Sequence, residues 1–235
     1  MSSVPWSVDD PEAAHHMNAT GTLHVLKASR DHGVQRVVLA STSAIYGENP
    51  VQPKREEMIP EPESPYAATK LAGEHYCRIF STLYGLETVA LRYFNVYGKR
   101  QDPASHYSAV IPKFITRMLS NSNPVIYGDG EQTRDFVFVE DCNRANIKAS
   151  FTEGISGEFF NIGSGMNISV NELFNTIRDI TGAKLEPLYE DARKGDVRES
   201  LSDISKARRH LGFEPAYTME AGLKKTIEWY REVSR

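Results

Sequence analysis

Arg36-Val37-Val38-Leu39-Ala40-Ser41-Thr42-Ser43-Ala44-Ile45-Tyr46-Gly47 changes character halfway along. After Arg36 it is apolar, rich in β-branched residues and without alternation. Such a run suits a strand of a parallel sheet with both faces covered. Three hydroxyl residues follow, and a glycine closes the stretch. In open α/β sheets, ligands bind beyond the carboxyl ends of the strands. Ser41, Thr42 and Ser43 therefore stand where chemistry is expected, although a turn satisfied by its own hydroxyls would read the same way.

The flanks extend the pattern. Upstream, Asp10-Pro11 signals a helix start, and the helix should run to about His32 and stop at Gly33. Downstream, residues 48–64 are rich in proline and glutamate and read as a loop. Ser64-Pro65 starts a second helix, Gly85 ends it, and residues 88–91 form the next apolar strand. That strand also ends in polar and aromatic residues, Arg92-Tyr93-Phe94-Asn95-Val96-Tyr97-Gly98. Alternating strand and helix argues for an α/β fold with a parallel sheet. The second half is more mixed: helix over 110–119, strand over 125–127, a Gly128-Asp129-Gly130 turn, strand over 135–139, a helix from Asp141 and strand over 159–162. Ser169, Asp203 and Thr218 are read as caps of the last three helices.

Tyr66 and Lys70 lie at i, i+4 on the helix that starts at Ser64-Pro65, hence on one face. A lysine ammonium beside a phenol favours the phenolate, lowering its pKa from about 10 toward neutrality. Tyrosine then serves as general base for a sugar hydroxyl. Such a pair is common by chance, and an exposed helical pair is the plain alternative. The hydroxyl cluster at one strand end and the polar run at the next supply the context.

The 235 residues are 40% hydrophobic and 25% charged, with net charge -4. No basic face for nucleic acid is indicated, no apolar run approaches the roughly 18 residues of a membrane span, and the first residues do not read as a signal peptide. Cys77 and Cys142 lack metal-ligand spacing, which fits a reducing cytoplasm, and both read as ordinary helix residues. His15-His16 reads as a solvated pair rather than a metal site.

At this point the sequence resembles the extended short-chain dehydrogenase/reductases of the NAD-dependent epimerase/dehydratase type, most of all UDP-hexose 4-epimerases. The resemblance covers nearly the whole chain, through Asn18-Ala19-Thr20-Gly21-Thr22, Ser41 to Gly47, Tyr66-x-x-x-Lys70, Arg92 to Gly98, Gly128 to Phe136, Asn161-Ile162-Gly163 and Gly195-Asp196-Val197-Arg198. It implies an incomplete Rossmann-type doubly wound parallel sheet over residues 1–105, and a smaller mixed α/β substrate-binding region over 106–235, with 140–165 returning to the first part. Tyr66 is implied as acid/base and Lys70 as its partner at the nicotinamide ribose. Ser43, helped by Thr42, meets the reacting hydroxyl. NAD is the implied cofactor, with Asn18, Ser41 and Phe94 also on its side. A UDP-sugar is the implied substrate: Asn95 at the phosphate, Ala109 and Val125 to Tyr127 at the uracil, and Arg134 and Arg193 at the diphosphate. Each arginine would otherwise read as a surface ion pair.

Related dehydratases carry Thr-Asp-Glu at the hydroxyl cluster. Here Ser43 and Ala44 follow Thr42, so epimerisation at C4 is favoured over dehydration. Ser200 matches a position where a bulky residue would crowd a 2-acetamido group, so UDP-GlcNAc and UDP-GalNAc are expected beside UDP-Glc and UDP-Gal. UDP-glucuronate is the close alternative. The family's Gly-x-x-Gly-x-x-Gly loop, which holds the pyrophosphate at a helix N-terminus, is absent from all 16 glycines. The expectation is therefore a chain of impaired activity. Three readings follow: a fragment, half of a split enzyme with a complementary N-terminal chain, or a non-catalytic nucleotide-sugar-binding module. The strand over 37–40 should have an unpaired edge. The helices over 11–32 and 65–84 resemble the family's dimerising pair and imply a homodimer.

Overall fold

A computed structural model describes residues 3–102, 110–192 and 198–233. Ser3 caps a short helix, α1 (Val4–Asp9), its hydroxyl accepting from the Trp6 N–H at 3.1 Å. Asp10 caps α2 (Pro11–His15) at the Ala13 N–H. The chain continues through a π-helical turn, His16–Thr20, into α3 (Gly21–Asp31). The expected long helix is thus present, with a wide turn that no local signal announced. β1 (Arg36–Thr42) is followed by a single 3-10 turn, Ser43–Tyr46. Gly47 then has φ +58°, and an added Cβ would lie 2.1 Å from the Glu61 carbonyl oxygen, so only glycine fits. Ser64 caps α4 (Pro65–Tyr84) at the Ala67 N–H, and left-handed Gly85 ends it.

Next come β2 (Glu87–Tyr93), β3 (Asn95–Tyr97), α5 (Val110–Leu119), β4 (Val125–Tyr127), β5 (Thr133–Arg134), β6 (Phe136–Phe138) and α6 (Val139–Phe151). They are followed by β7 (Glu158–Ile162), β8 (Ile168–Ser169), α7 (Val170–Thr181), β9 (Leu188–Glu190), β10 (Glu199–Ser200), α8 (Ser205–Leu211) and α9 (Met219–Val233). Two of the cap assignments shift. α6 begins at Val139, ahead of Asp141, whose carboxylate accepts from the Ala216 and Tyr217 N–H groups instead. Asp203 accepts from the Ser205 N–H, but the residue at the cap of α8 is Ile204. Asp141 is thus drawn to backbone donors far along the chain, while Asp203 still reaches the first N–H of α8 from one residue further out.

The chain divides into two compact units, one of Met1–Phe94, Cys142–Ile162 and Ser202–Glu214, the other of Asn95–Asp141, Gly163–Leu201 and Pro215–Arg235. The first unit therefore ends at Phe94 rather than near 105, and it regains the segment Ser202–Glu214, which the sequence reading left in the second region. That segment is fastened by the Asp203 N–H to the Lys54 carbonyl and by Lys206 to Glu158.

The first unit is built on a parallel three-stranded sheet, β1-β2-β7, with Val38 opposite Val89 and Leu91 opposite Phe160. β2 is central and buried from Thr88 to Arg92. The expectation that the β1 run is buried on both faces is corrected. Residues 36–39 are only half-buried and Ala40 is exposed, because β1 pairs on one side alone among the described residues. α4 lies close on β1: a Cβ at Gly73 would sit 3.2 Å from Leu39 Cδ2. Leu26, Cys77, Phe80 and Leu86 fill the space between helices and sheet.

In the second unit, β3 pairs with β6 and β4 with β9, both in parallel. The helices α5, α7 and α9 close a core of Ile111, Phe114, Ile115, Leu173, Phe174 and Ile227 with Phe136 and Phe138. Ser169 and Glu172 form a reciprocal capping box at the start of α7. The whole is a mixed α/β fold with parallel strand pairs. No helix among the described residues is long and apolar enough to cross a membrane.

Candidate active site

The first two turns of α4 carry Tyr66 and Lys70. Tyr66 is 9% exposed and Lys70 half-buried, one turn apart, with the Lys70 Nζ 5.9 Å from the Tyr66 ring centroid. Lys70 donates to the Ala40 carbonyl at 2.8 Å, which ties the helix to the end of β1. Two residues on, the Thr42 side chain lies near the Tyr66 phenol, and its hydroxyl accepts the Ala44 N–H at 3.1 Å. Ser43 opens the 3-10 turn beside them and is half-buried. The structure thus gathers Tyr66, Lys70 and Thr42 at the carboxyl end of β1.

The electrostatics correct one expectation. Burial pushes the Tyr66 phenol above its ordinary value, and the nearby Thr42 hydroxyl only pulls part of this back. Burial likewise pulls the Lys70 ammonium down. Lysine does not lower the tyrosine here, because the ammonium points at a backbone carbonyl rather than at the phenolic oxygen. The resting centre is a neutral phenol.

Other expected residues sit as follows. Asn18, on the π-helical turn, is buried and donates to the Thr69 hydroxyl at 3.1 Å, and Thr69 donates to the Tyr66 carbonyl. It braces the helix that bears Tyr66. Ser41, expected at the cofactor, is 4% exposed and donates to Glu74 at 2.5 Å. Phe94 is buried against Ile45 and Tyr46. Two residues with no assigned role in the sequence reading, Glu74 and Arg92, form a buried pair beneath this site. Arg92 was quoted within a motif, but nothing local marks Glu74 as its partner.

The second unit holds a cavity of about 380 Å³ lined by Asn95, Val125, Tyr127, Gln132, Arg134 and Phe136, among others. Asn95 donates to the Asp135 carbonyl through both its backbone and its side chain. Gln132 holds the Tyr127 carbonyl at 2.8 Å and was missed from sequence. Arg134 donates to the Thr133 carbonyl, and Ser200 lies opposite it in the β10–β5 pair. Ala109 and Arg193 lie outside the described residues. No group of three or more histidine, cysteine, aspartate or glutamate residues fit for a metal occurs among the described residues.

Residues 1–163 match the family described as NAD dependent epimerase/dehydratase. The chain belongs to that family. It is 39% identical over 234 residues to the UDP-glucose 4-epimerase of Mycolicibacterium smegmatis, covering 99% of this chain and 74% of that protein. The crystal structure of UDP-glucose 4-epimerase with UDP-glucose from Thermotoga maritima superposes with a TM-score of 0.96 at 43% identity, over 100% of this chain and 76% of the other. The UDP-N-acetylglucosamine 4-epimerase of Methanobrevibacter ruminantium, in complex with UDP-N-acetylmuramic acid, also reaches 0.96, at 40% identity, over 99% and 74%.

NAD is the family's cofactor. The donor set at α4 fits its nicotinamide-ribose end. An ammonium carries three N–H donors, and Lys70 directs one to Ala40, leaving the others to meet ribose hydroxyls. For the pyrophosphate, these 235 residues hold no Gly-x-x-Gly-x-x-Gly run.

Proposed function

We propose that this chain carries the proton-transfer and sugar-binding parts of a UDP-hexose 4-epimerase that accepts 2-acetamido sugars. The observation behind this reading is Tyr66 and Lys70 gathered on one face of α4 beside Thr42, with Lys70 tied to the end of β1. Tyr66 exchanges a proton with the sugar 4-hydroxyl, relayed through Thr42 or Ser43. As a neutral phenol it is ready to protonate a 4-oxyanion; acting as base needs the Lys70 charge nearer its oxygen. Tyr66, Lys70 and Phe94 would hold the nicotinamide end of NAD, with Asn18 bracing them. NAD, when bound, supplies the hydride acceptor and donor for C4. Asn95, Val125, Tyr127 and Arg134 would hold the nucleotide in the second-unit cavity, with Arg134 facing the diphosphate, where a guanidinium fits bidentately. Ala109 and Arg193 are assigned to the same ligand by the family resemblance. No carboxylate follows Thr42, so dehydration has no acid and base there. Ser200 leaves room for an acetamido group.

Without the glycine loop, the chain alone should bind UDP-sugar and hold NAD weakly, with low turnover. Exposed Met17, Val25, Ile79 and Leu83 on the helices over 11–32 and 65–84 support a homodimer through that face. The test is calorimetry with UDP and with NAD, then epimer ratios from UDP-glucose, UDP-GlcNAc and UDP-glucuronate. Tyr66→Phe should lower any turnover by about 100-fold or more with UDP affinity kept. Tightly retained NAD would overturn the impairment; turnover of UDP-glucuronate alone would overturn the substrate assignment.

A further inference from the structure

Arg92 heads the large side chains that are almost fully buried, at 1% exposed. A charge in that setting costs heavily unless each of its donors is met. Its Nε donates to both Glu74 oxygens at 3.0 and 3.2 Å, and its Nη2 donates to Glu74 Oε2 at 2.7 Å. Its Nη1 donates to the Tyr46 hydroxyl at 2.9 Å, which donates to Asn161 Oδ1 at 2.7 Å. Asn161 in turn donates from its backbone to Glu56 and from its amide to the Lys54 carbonyl. Glu74 also accepts the Ser41 hydroxyl.

This web joins five elements of the first unit. Glu74 is on α4, one turn beyond Lys70 and two beyond Tyr66. Ser41 is in β1, immediately before Thr42. Tyr46 closes the turn that begins at Ser43. Arg92 and Asn161 lie near the ends of β2 and β7. The same helix and the same strand end are therefore coupled twice, near the ligand side by Lys70–Ala40, and in the interior by Ser41–Glu74–Arg92. Apolar packing alone is non-directional and would let α4 slide along the sheet. Charge-assisted hydrogen bonds have fixed lengths and directions. A dry set of equal volume would often be as stable, so the pair calls for a role other than stability.

We infer that Ser41, Glu74 and Arg92 form a positioning network that sets Tyr66 against Thr42 and Ser43. None of the three need touch the substrate. The inference rests on Tyr66 being the proton-transfer group, and its test does not require turnover. The full chain is labelled with ¹³Cζ-tyrosine and observed near neutral pH, where this carbon reports the hydrogen bond of the phenol. The Tyr66 line is assigned by its loss in Tyr66→Phe. Ser41→Ala is expected to move that line, and Ser41→Thr, which keeps the hydroxyl, to restore it. Arg92→Lys, which keeps the charge and loses the fork, should move it further. Where turnover is measurable, kcat should fall about tenfold or more in Ser41→Ala with KM for the UDP-sugar unchanged. A Tyr66 line unmoved in Ser41→Ala, while the melting temperature falls, would make the network purely stabilising and overturn the inference. If Arg92→Lys does not fold, Ser41→Ala and Ser41→Thr decide alone. A chain that binds no UDP-sugar but whose Tyr66 line still responds would reject the epimerase reading and leave the network standing.

Discussion

The two units bury different chemistry. The first places an ion pair at its centre, Arg92 with Glu74, and surrounds it with Ser41, Tyr46, Asn161 and Glu56. The second places rings and branched aliphatics there, Phe114 edge-on to Phe174 and Tyr97 against Phe136 and Phe138. An apolar core tolerates exchange of similar volumes, while a buried polar web fails if one member is lost. The unit that carries Tyr66, Lys70 and Thr42 is thus the one whose interior specifies positions, and the unit that carries the cavity is held by packing.

The sharpest way to break this contrast is to cut each core once. Arg92→Met leaves the Glu74 carboxylate buried without its cation, and should cost about 3–5 kcal/mol in urea or guanidinium unfolding. Leu173→Ala in the second unit leaves a cavity and should cost about 2–5 kcal/mol. Restoring volume separates them: Leu173→Met should cost under about 1.5 kcal/mol, while Arg92→Met, already close in volume, gains nothing from its fit. An Arg92→Met chain as stable as the unmodified one would erase the distinction.

Alkali should act next, and most visibly on the first unit. Burial raises the Cys77 thiol from 9.0 to about 12, with Glu74 adding to it, and the Tyr46 phenol from 10.0 to about 12. A folded-state value above the unfolded one gives stability that is complete below the unfolded value and lost as pH rises through the folded one. The stability from these two groups should therefore hold to about pH 9 and drain away between pH 9 and 12. Urea midpoints taken across that range should fall less steeply in Cys77→Ala than in the unmodified chain. Equal slopes would show that the thiol plays no part.

The smallest effect tests a local feature. Ser169→Ala removes one half of the capping box of α7 and should cost about 1 kcal/mol. Ser64→Ala, at the start of α4, removes a comparable hydrogen bond. If position matters more in the first unit, Ser64→Ala should also disturb the Tyr66 resonance, two residues away, whereas Ser169→Ala should leave it unchanged.

Much of the site was readable because it is local. Tyr66 and Lys70 share a helix whose start is written in Ser64-Pro65, and Thr42 follows a strand whose apolar run is continuous. The rest depends on separations that no window spans. Glu74 and Arg92 are joined across 18 residues and Tyr46 and Asn161 across 115. Ser41 looked like a ligand group from its place at a strand end, but the side chain of a strand residue faces whichever layer the pleat assigns it, and here that layer holds Glu74. The half-burial of β1 followed from pairing rather than from its residues.

By itself, then, the sequence determined the α/β alternation, the helix caps at Ser64 and Ser169 and the pairing of Tyr66 with Lys70, because these depend on neighbours within a turn or a strand. Only the tertiary structure decided the state of that pair. Burial makes Tyr66 a neutral phenol, Lys70 turns to the Ala40 carbonyl, and Ser41 is drawn inward by a carboxylate on another element. Solvation and hydrogen-bond direction are properties of the packed interior, and these set what the residues at the end of β1 can do.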